Sequence, residues 1–204
     1  MRKLKKGIII AIVSIIITLG ISVYGSVAYF TESVDSTGNR LVGSSGVQNV
    51  TLSDYTYNEN GDLIPSPTYI NVVPGMAVDK SVSVKNSNST PVYVRVKYDV
   101  SITLSELERG RENEIDLALV ELNVNESKWV YQDGYYYYDG VLDSGEQTEN
   151  ALSSVSFSKD MGNLYKDSVV NIKTRLETVQ ANNNGATVFD AVGWVTSNNE
   201  GGSL

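Results

Sequence analysis

Val92-Tyr-Val-Arg-Val-Lys-Tyr-Asp-Val100 is the stretch that decides the fold class, because every second residue along it is apolar. The alternation places one set of side chains, Val92, Val94, Val96, Tyr98 and Val100, on one face, and Arg95, Lys97 and Asp99 on the other. A period of two residues is typical of a half-buried β-strand. We therefore predict a strand here whose valine face contributes to a core.

Several other segments have strand patterns. The predicted strands are Tyr69–Val73, Val78–Lys85, Leu117–Val124, Lys128–Gln132, Tyr135–Tyr138, Leu152–Phe157 and Val169–Gln180. Two-residue turn signals separate some of them, namely Pro74-Gly75 and Asp133-Gly134, and the second is typical of a β-hairpin. In the strand that begins at Val78 we expect the valines to face inward, and Lys80 and the neighbouring serines to face mostly outward.

Helix is scarce in the rest of the sequence. Ser105–Glu112 has room for a turn or two, and Ala186–Val195 is predicted to form a short segment packed on the domain. About seven or eight short strands with Gly, Asn, Asp and Pro turns indicate an all-β fold. The prediction is an antiparallel β-sandwich of jelly-roll or immunoglobulin-like type, preceded by an N-terminal signal-like or membrane-spanning helix.

The N-terminus predicts export. A basic cluster, Met1–Lys6, precedes an uncharged run of 22 residues from Gly7 to Ala28. As a helix this run would be about 33 Å long, enough to cross a hydrocarbon core of about 30 Å. Two interpretations stay open. One is a signal peptide cleaved between Ala28 and Tyr29, for which Ser26 and Ala28 supply the small residues that a signal peptidase needs, and the other is a retained anchor.

Cleavage before Tyr29 would divide the chain into three parts. Residues 1–28 would be the signal peptide, 29–46 an extended N-terminal arm and 47–204 the β-sandwich domain. The arm is dominated by Ser, Thr, Gly and Asn, with scattered apolar residues. An extended segment of this kind has unpaired backbone groups, which suit it to pair with the open edge of another sheet.

Composition narrows the functional classes. The chain has no cysteine and no histidine, so it can form neither disulfides nor His-dependent catalytic and zinc sites. Beyond residue 28 it carries 12 Lys and Arg against 24 Asp and Glu, and such a polyanion is repelled by nucleic acid and by anionic membrane surfaces. We therefore expect no enzyme, no cofactor and no metal, and membrane contact only through residues 7–28 before cleavage.

Three segments are candidate binding sites, and each of them also has a simpler structural explanation. Asn58–Asp62 has the alternating oxygen ligands of a calcium loop, but it lacks a closing Glu, and an Asx-rich turn explains it better. Trp129, Tyr135 and Tyr137 are candidate stacking residues for a glycan, although alternate rings in a strand face opposite sides. The charged run Glu106–Glu114 is expected to be a solvated face.

Short motifs extend over nearly the whole chain. They are Lys5-Lys6 with the apolar run, Ala28–Glu32, Val73-Pro74-Gly75, Val82–Asn86, Pro91–Val96, Asp133–Leu142, Ser144–Glu146, and Val179–Ala181 before a Trp-bearing tail. Together they resemble the TasA- and camelysin-like exported proteins, whose specialised signal peptide is processed by a SipW-type signal peptidase.

The resemblance implies a secreted, jelly-roll-like subunit of the extracellular matrix, a biofilm or a surface fibre, in a Gram-positive-type bacterium. In such fibres the segment exposed by signal cleavage inserts as a strand into the next subunit. Carried onto this chain, the donor strand is Tyr29, Phe30, Thr31, Glu32, Ser33 and Val34, with Phe30 as its anchor. The implied partners are the signal peptidase and further copies of this chain or related matrix subunits.

Two other functions are weighed against the structural one. A monomeric cell-surface binding module, for which a glycan is the candidate ligand, would use exposed tyrosines. The camelysin branch implies a metallopeptidase, but without histidine a zinc site would have to be built from carboxylates alone, which zinc disfavours. We therefore do not carry the peptidase activity over.

Overall fold

The structure, a computed structural model, describes residues 34–35, 41–42, 50–67 and 69–194. Within these ranges the chain forms two antiparallel sheets. The strands are β1 (Val34–Asp35), β2 (Leu41–Val42), β3 (Val50–Tyr57), β4 (Leu63–Pro65), β5 (Tyr69–Asn71), β6 (Ala77–Asn86), β7 (Val92–Thr103), β8 (Val120–Val124), β9 (Trp129–Gln132), β10 (Tyr135–Tyr138), β11 (Leu152–Phe157) and β12 (Val169–Gln180).

The two sheets differ in their strand order. Sheet A has the order β1-β12-β7-β10-β9, and β5 also pairs with β12. Its centre is the pair of β7 and β12, which stay in register from Thr103 opposite Val169 to Val92 opposite Gln180. Sheet B has the order β2-β3-β6-β11-β8, and β4 also pairs with β3.

A single apolar core lies between the two sheets, as in a β-sandwich. The predicted inward face of β7 is confirmed, because its valines are buried and Tyr98 and Val100 pack against them. Sheet B contributes Val82 and Val84 from β6 and Leu152 from β11, all without exposed surface. Burial of this apolar face is the main force that holds the two sheets together.

The predicted hairpin is confirmed at Asp133-Gly134. Both residues have positive φ, 51° for Asp133 and 85° for Gly134, as a type I′ turn requires. The turn joins β9 to β10 with Tyr135 opposite Gln132.

The long strand β3 is not among the predicted strands, and neither are the short strands β2 and β4. β3 lies between β2 and β6, with Val50 and Leu52 in the core. The same face continues with Asp54 and Thr56, both buried. These two polar residues interrupt the apolar alternation by which a strand is recognised.

Other boundaries also differ. The strand predicted from Leu117 begins only at Val120, because Leu117–Leu119 forms a 3-10 turn. The Asp116 side chain caps this turn by accepting a hydrogen bond from the Ala118 N–H. In the segment from Ser105, two 3-10 turns form, at Glu106–Glu108 and Glu112–Glu114.

The expected orientation of Lys80 is wrong. Lys80 lies on the core-facing side of β6, in step with Val82 and Val84, and its side chain is only 4% exposed. A lysine can occupy this position because Asp54 of β3 faces it, as described below.

The C-terminal segment, residues 181–194, crosses the outer face of sheet A without helix or strand. It forms a second apolar group, here called the outer cluster, which contains Tyr93, Tyr137, Val179, Ala181, Val188 and Ala191, with Tyr135 and Trp194 packed against them. The Asn184 amide fixes the segment by donating to the Gln180 and Val192 carbonyls and accepting from the Val192 N–H. The predicted packing of this segment is confirmed over residues 186–194.

Part of the prediction concerns residues that the structure does not describe. The signal peptide, its cleavage residues Ser26, Ala28 and Tyr29, and the donor residues Tyr29–Ser33 all lie outside the described ranges. In the part of the chain that is described, no helix has the length and apolar character needed to cross a membrane.

Candidate functional site at the edge of the sandwich

The described end of the predicted arm lies on the edge of sheet A. β1 pairs antiparallel with β12, with Val34 opposite Leu176 and Asp35 opposite Arg175. Val34 is also the last residue of the predicted donor strand. The end of this strand therefore pairs with a sheet edge of its own chain.

The arm then crosses to the other sheet. β2 pairs with the edge of β3, with Leu41 opposite Leu52. A second crossing runs beside it, because β4 pairs with β3 and β5 pairs with β12. One side of the sandwich is thus covered by four strands of only two or three residues each.

Among the described residues, this cover leaves part of the β12 edge without a strand partner. β5 pairs with Val169–Asn171, and β1 pairs with Arg175 and Leu176. On the same edge, Glu177–Gln180 has no strand partner among the described residues, although β7 pairs with it on the other side. At a sheet edge, alternate residues point N–H and C=O groups outward, where they can accept another strand. We call Glu177–Gln180 the open stretch of β12.

A buried ion pair anchors the open stretch to its neighbour. The Glu177 carboxylate has no exposed surface, and the Arg95 Nε donates to its Oε2 at 2.7 Å. The Tyr135 hydroxyl donates to the other oxygen, Oε1, at 3.0 Å. Since Arg95 lies directly opposite Glu177 on β7, the pair joins β7 and β12 side by side.

Aromatic rings enclose the guanidinium. The Arg95 Cζ lies 3.8 Å from the ring centre of Tyr135 and 4.6 Å from that of Trp194, within the range of cation–π attraction. Its Nη1 donates to the Tyr137 hydroxyl at 2.8 Å. Trp194 belongs to the C-terminal segment, so the same cluster joins this segment to sheet A beside the open stretch.

The three candidate glycan-stacking residues do not share a surface. Trp129 faces the core, has no exposed surface and packs against Tyr138. Tyr135 and Tyr137 lie on the opposite face, where the C-terminal segment covers them and Tyr137 is buried. The most exposed ring of the β9–β10 hairpin is instead Tyr131, at 64%. Alternate rings of β10 do face opposite sides, but none of the four consecutive tyrosines is exposed, because Tyr136 and Tyr138 pack on the core and the C-terminal segment packs on the other two.

The candidate calcium loop is folded as an Asx-rich turn. The Asn58 Oδ1 accepts the N–H groups of Asn60 and Asp62 at 2.9 and 2.8 Å, and its amide donates to the Asp62 carboxylate. These contacts use the oxygens for the turn itself. Across the described ranges, no three Asp or Glu residues come close enough together to hold a metal ion.

The charged run is solvated, as predicted. Arg109 pairs with Glu106, and Arg111 pairs with Glu108 and Glu114, all at the surface. Exposed pairs of this kind contribute little to stability.

Three tyrosines of β10 hold their protons more tightly than a free tyrosine does. Desolvation, together with the hydrogen bond and negative charge of Glu149, raises the pKa of Tyr138 to about 12. Desolvation also raises the pKa of Tyr135, and the nearby Glu177 carboxylate adds to this effect. The pKa of Tyr136 is raised mainly by desolvation as well.

We expect the protein to lose stability in alkali. An unfolded tyrosine releases its proton near pH 10, whereas folded Tyr138 keeps its proton to about pH 12. Between about pH 10 and pH 12 the unfolded state therefore binds fewer protons than the folded state. The stabilisation from Tyr138 is fully present below about pH 10, and the free energy of unfolding should fall as the pH rises towards 12. Urea unfolding at a series of pH values measures the slope. Tyr138→Phe should reduce the slope, and an equal slope in both proteins would contradict the assignment.

The sequence does not predict the ionic cluster of Arg95 and Glu177. Arg95 and Glu177 both fell on predicted polar faces, and they are 82 residues apart, so nothing local connects them. One signal was present: Val188, Phe189, Val192 and Trp194 make the tail apolar enough to require a surface to cover. The run Tyr135–Tyr138 supplies part of that surface.

No protein-family model matches this chain, and no curated protein or solved structure shows significant similarity to it. The motifs and the geometry of the sheet edge are therefore the basis for a functional proposal.

Proposed function

We propose that the protein is a secreted structural subunit that assembles into extracellular fibres by strand addition. The arm of one subunit would pair with the β12 edge of the next. The observation that carries this proposal is the β1–β12 pair, because the end of the predicted donor strand already lies antiparallel on that edge.

The register of this pair extends naturally along the open stretch. Val34 lies opposite Leu176 and Asp35 opposite Arg175. If a neighbour's arm keeps the same register, its residues 33, 32, 31 and 30 fall opposite 177, 178, 179 and 180. The donor residues before Val34 would thus cover the open stretch, with Phe30 opposite its last residue, Gln180.

Exchange between subunits requires little energy. An arm that leaves its own β12 and joins a neighbour's β12 replaces each contact with an identical one, as in domain swapping. The segment to be released, β1, has only two residues, so it contributes little on its own. A cut after Ala28 would free the arm, whereas a retained anchor would hold it at the membrane.

The fold proposed for this function is a jelly-roll-like sandwich. Four main strands lie in each sheet: β3, β6, β11 and β8 in one, and β12, β7, β10 and β9 in the other. From β6 to β9 and from β10 to β12, each successive strand lies in the opposite sheet, and such crossings are frequent in double-sheet jelly rolls. This arrangement supports the resemblance to TasA-like subunits.

The proposed location is the cell surface or extracellular matrix, and the proposed processing enzyme is a SipW-type signal peptidase. The basic cluster and apolar run before Tyr29 support both. N-terminal sequencing of exported protein tests this step, and a secreted chain that still begins near Met1 would refute it.

Removal of the donor strand is expected to abolish assembly. Chains that begin at residue 29 should form fibres in electron micrographs and sediment rapidly, whereas chains that begin at residue 36 should stay monomeric with unchanged circular dichroism. Fibres from the shortened chain, or lasting monomers of the longer one, would refute strand addition.

Two proline variants of the arm provide a matched control. In an edge strand, only alternate N–H groups face the partner, and proline removes the N–H. Of Thr31→Pro and Glu32→Pro, the variant whose lost N–H faces β12 should assemble more poorly than the other. Equal assembly of both would indicate that the arm does not add as a strand.

A further inference from the structure

Two residues of opposite charge lie inside the sandwich core. On β3, Asp54 follows Val50 and Leu52 on the core-facing side, and on β6, Lys80 precedes Val82 on the same side. Both charged residues are buried, with side chains 12% and 4% exposed. A charge at such a position is costly because it has lost the solvation of water.

The two side chains are in reacting distance. The Lys80 Nζ lies 2.8 Å from each oxygen of the Asp54 carboxylate, so it lies close to the carboxyl carbon between them. Groups held at about 3 Å in a fixed orientation react as if present at very high concentration. Neighbouring strands of one sheet fix this geometry, because β3 and β6 pair from Val50 opposite Asn86 to Tyr55 opposite Ser81.

A hydroxyl from the opposite sheet lies near enough to Asp54 to be affected by its charge. The Tyr98 Oη has no contact with solvent and no hydrogen-bond partner among the described residues. Burial, and secondarily the charge of Asp54, raises the pKa of Tyr98. The hydroxyl therefore stays protonated and is able to donate a hydrogen bond, and a buried donor without a partner is rare in folded proteins.

We propose that Lys80 and Asp54 form an intramolecular isopeptide bond once the protein has folded. The Lys80 ammonium first passes a proton to an Asp54 oxygen, which gives a neutral amine and a carboxylic acid. The amine nitrogen attacks the carboxyl carbon, Cγ, and forms a tetrahedral intermediate. A proton moves from the nitrogen to the Asp54 hydroxyl, the Cγ–O bond breaks, and one water leaves. The product is a neutral amide.

The reaction removes both buried charges and needs no oxidant, metal or other reactant. An amide that replaces the ion pair no longer bears the desolvation cost of two ions. The amide would also be a covalent cross-link in a chain that cannot form disulfides, because it has no cysteine. It would close the loop from 54 to 80, which contains β4 and β5, the strands that cover the arm side of the sandwich.

The second buried ion pair is an internal control. Arg95 and Glu177 are also buried and in contact, but a guanidinium remains protonated and is not a nucleophile under these conditions. Of these two buried pairs, only the lysine pair is able to condense. The inference does not depend on fibre assembly, because it concerns a single folded chain.

Intact mass spectrometry of the exported protein tests the bond. The mass should be lower, by one water, than the mass calculated from the sequence and the N-terminus found in the same peptide map. After digestion, Lys80 and Asp54 should occur in one branched peptide. The matched variant Lys80→Arg keeps the positive charge but should have the full mass. A full mass for the unsubstituted protein, or a lost water located elsewhere in the peptide map, would overturn the proposal.

Discussion

Replacing Arg95 with methionine is expected to lower the free energy of unfolding by about 3–5 kcal/mol, as is usual when one partner of a buried ion pair is removed. Glu177 has no exposed surface, and without Arg95 its carboxylate would lose the charged group opposite it while keeping the hydrogen bond from Tyr135. Methionine preserves most of the volume of the arginine stem, so the lost charge dominates the effect. Urea unfolding followed by circular dichroism measures it.

Two further variants separate the charge from other effects. Arg95→Met combined with Glu177→Leu should recover most of the loss, because an apolar pair of similar volume often replaces a buried ion pair at little cost. Arg109→Met makes the same substitution in an exposed pair with Glu106 and should cost less than about 1 kcal/mol. If Arg95→Met costs no more than Arg109→Met, the buried pair does not stabilise the fold as described.

Trp129→Ala is expected to lower the free energy of unfolding by about 3–5 kcal/mol, the range for loss of a large aromatic side chain from a core. The Trp129 ring has no exposed surface, packs against Tyr138 with ring centres 5.3 Å apart, and donates from Nε1 to the Glu149 carbonyl at 3.3 Å. Alanine would leave a cavity in the main core and that carbonyl without its donor.

Trp194 provides the comparison. It is the second of the two tryptophans and is only partly buried in the outer cluster. Trp194→Ala removes the contact with Arg95 and a ring contact with Tyr137, and should cost less than Trp129→Ala. In the Trp194→Phe background, the fluorescence of Trp129 alone reports on the core. Equal losses for the two alanine variants would contradict the separation into two clusters.

Local patterns were sufficient for most of the strands. β12 was predicted with its observed bounds, and β7 and β6 were predicted within three residues at each end, because apolar residues recur at most alternate positions of each strand. β3 was not predicted, since the inward position of Asp54 makes physical sense only with Lys80 on a neighbouring strand. The partner of a residue on another strand is a property of the fold, which a single sequence does not display.

The candidate site was only partly predictable for the same reason. The motifs identify an arm and name Val34 as its last donor residue, but not the edge with which it pairs. That edge depends on strand order, which places β1 beside β12, a strand far away in the sequence. Likewise, the alternation in the sequence predicts that Arg95 is exposed to solvent, whereas in the fold the C-terminal segment covers it.

The crossing of the arm between the sheets limits how far apart two joined subunits can be. Only residues 36–40 separate β1 from β2, and a fully extended chain covers at most about 3.6 Å per residue, or about 22 Å from Asp35 to Leu41. In the proposed fibre, β2 would stay on its own subunit while β1 lies on the next. A domain of about 150 residues has a radius of gyration near 15 Å, so the spacer is shorter than one subunit is wide. The fibre would then be a continuous rod of subunits in contact, stiff against bending, and not a string of separate beads.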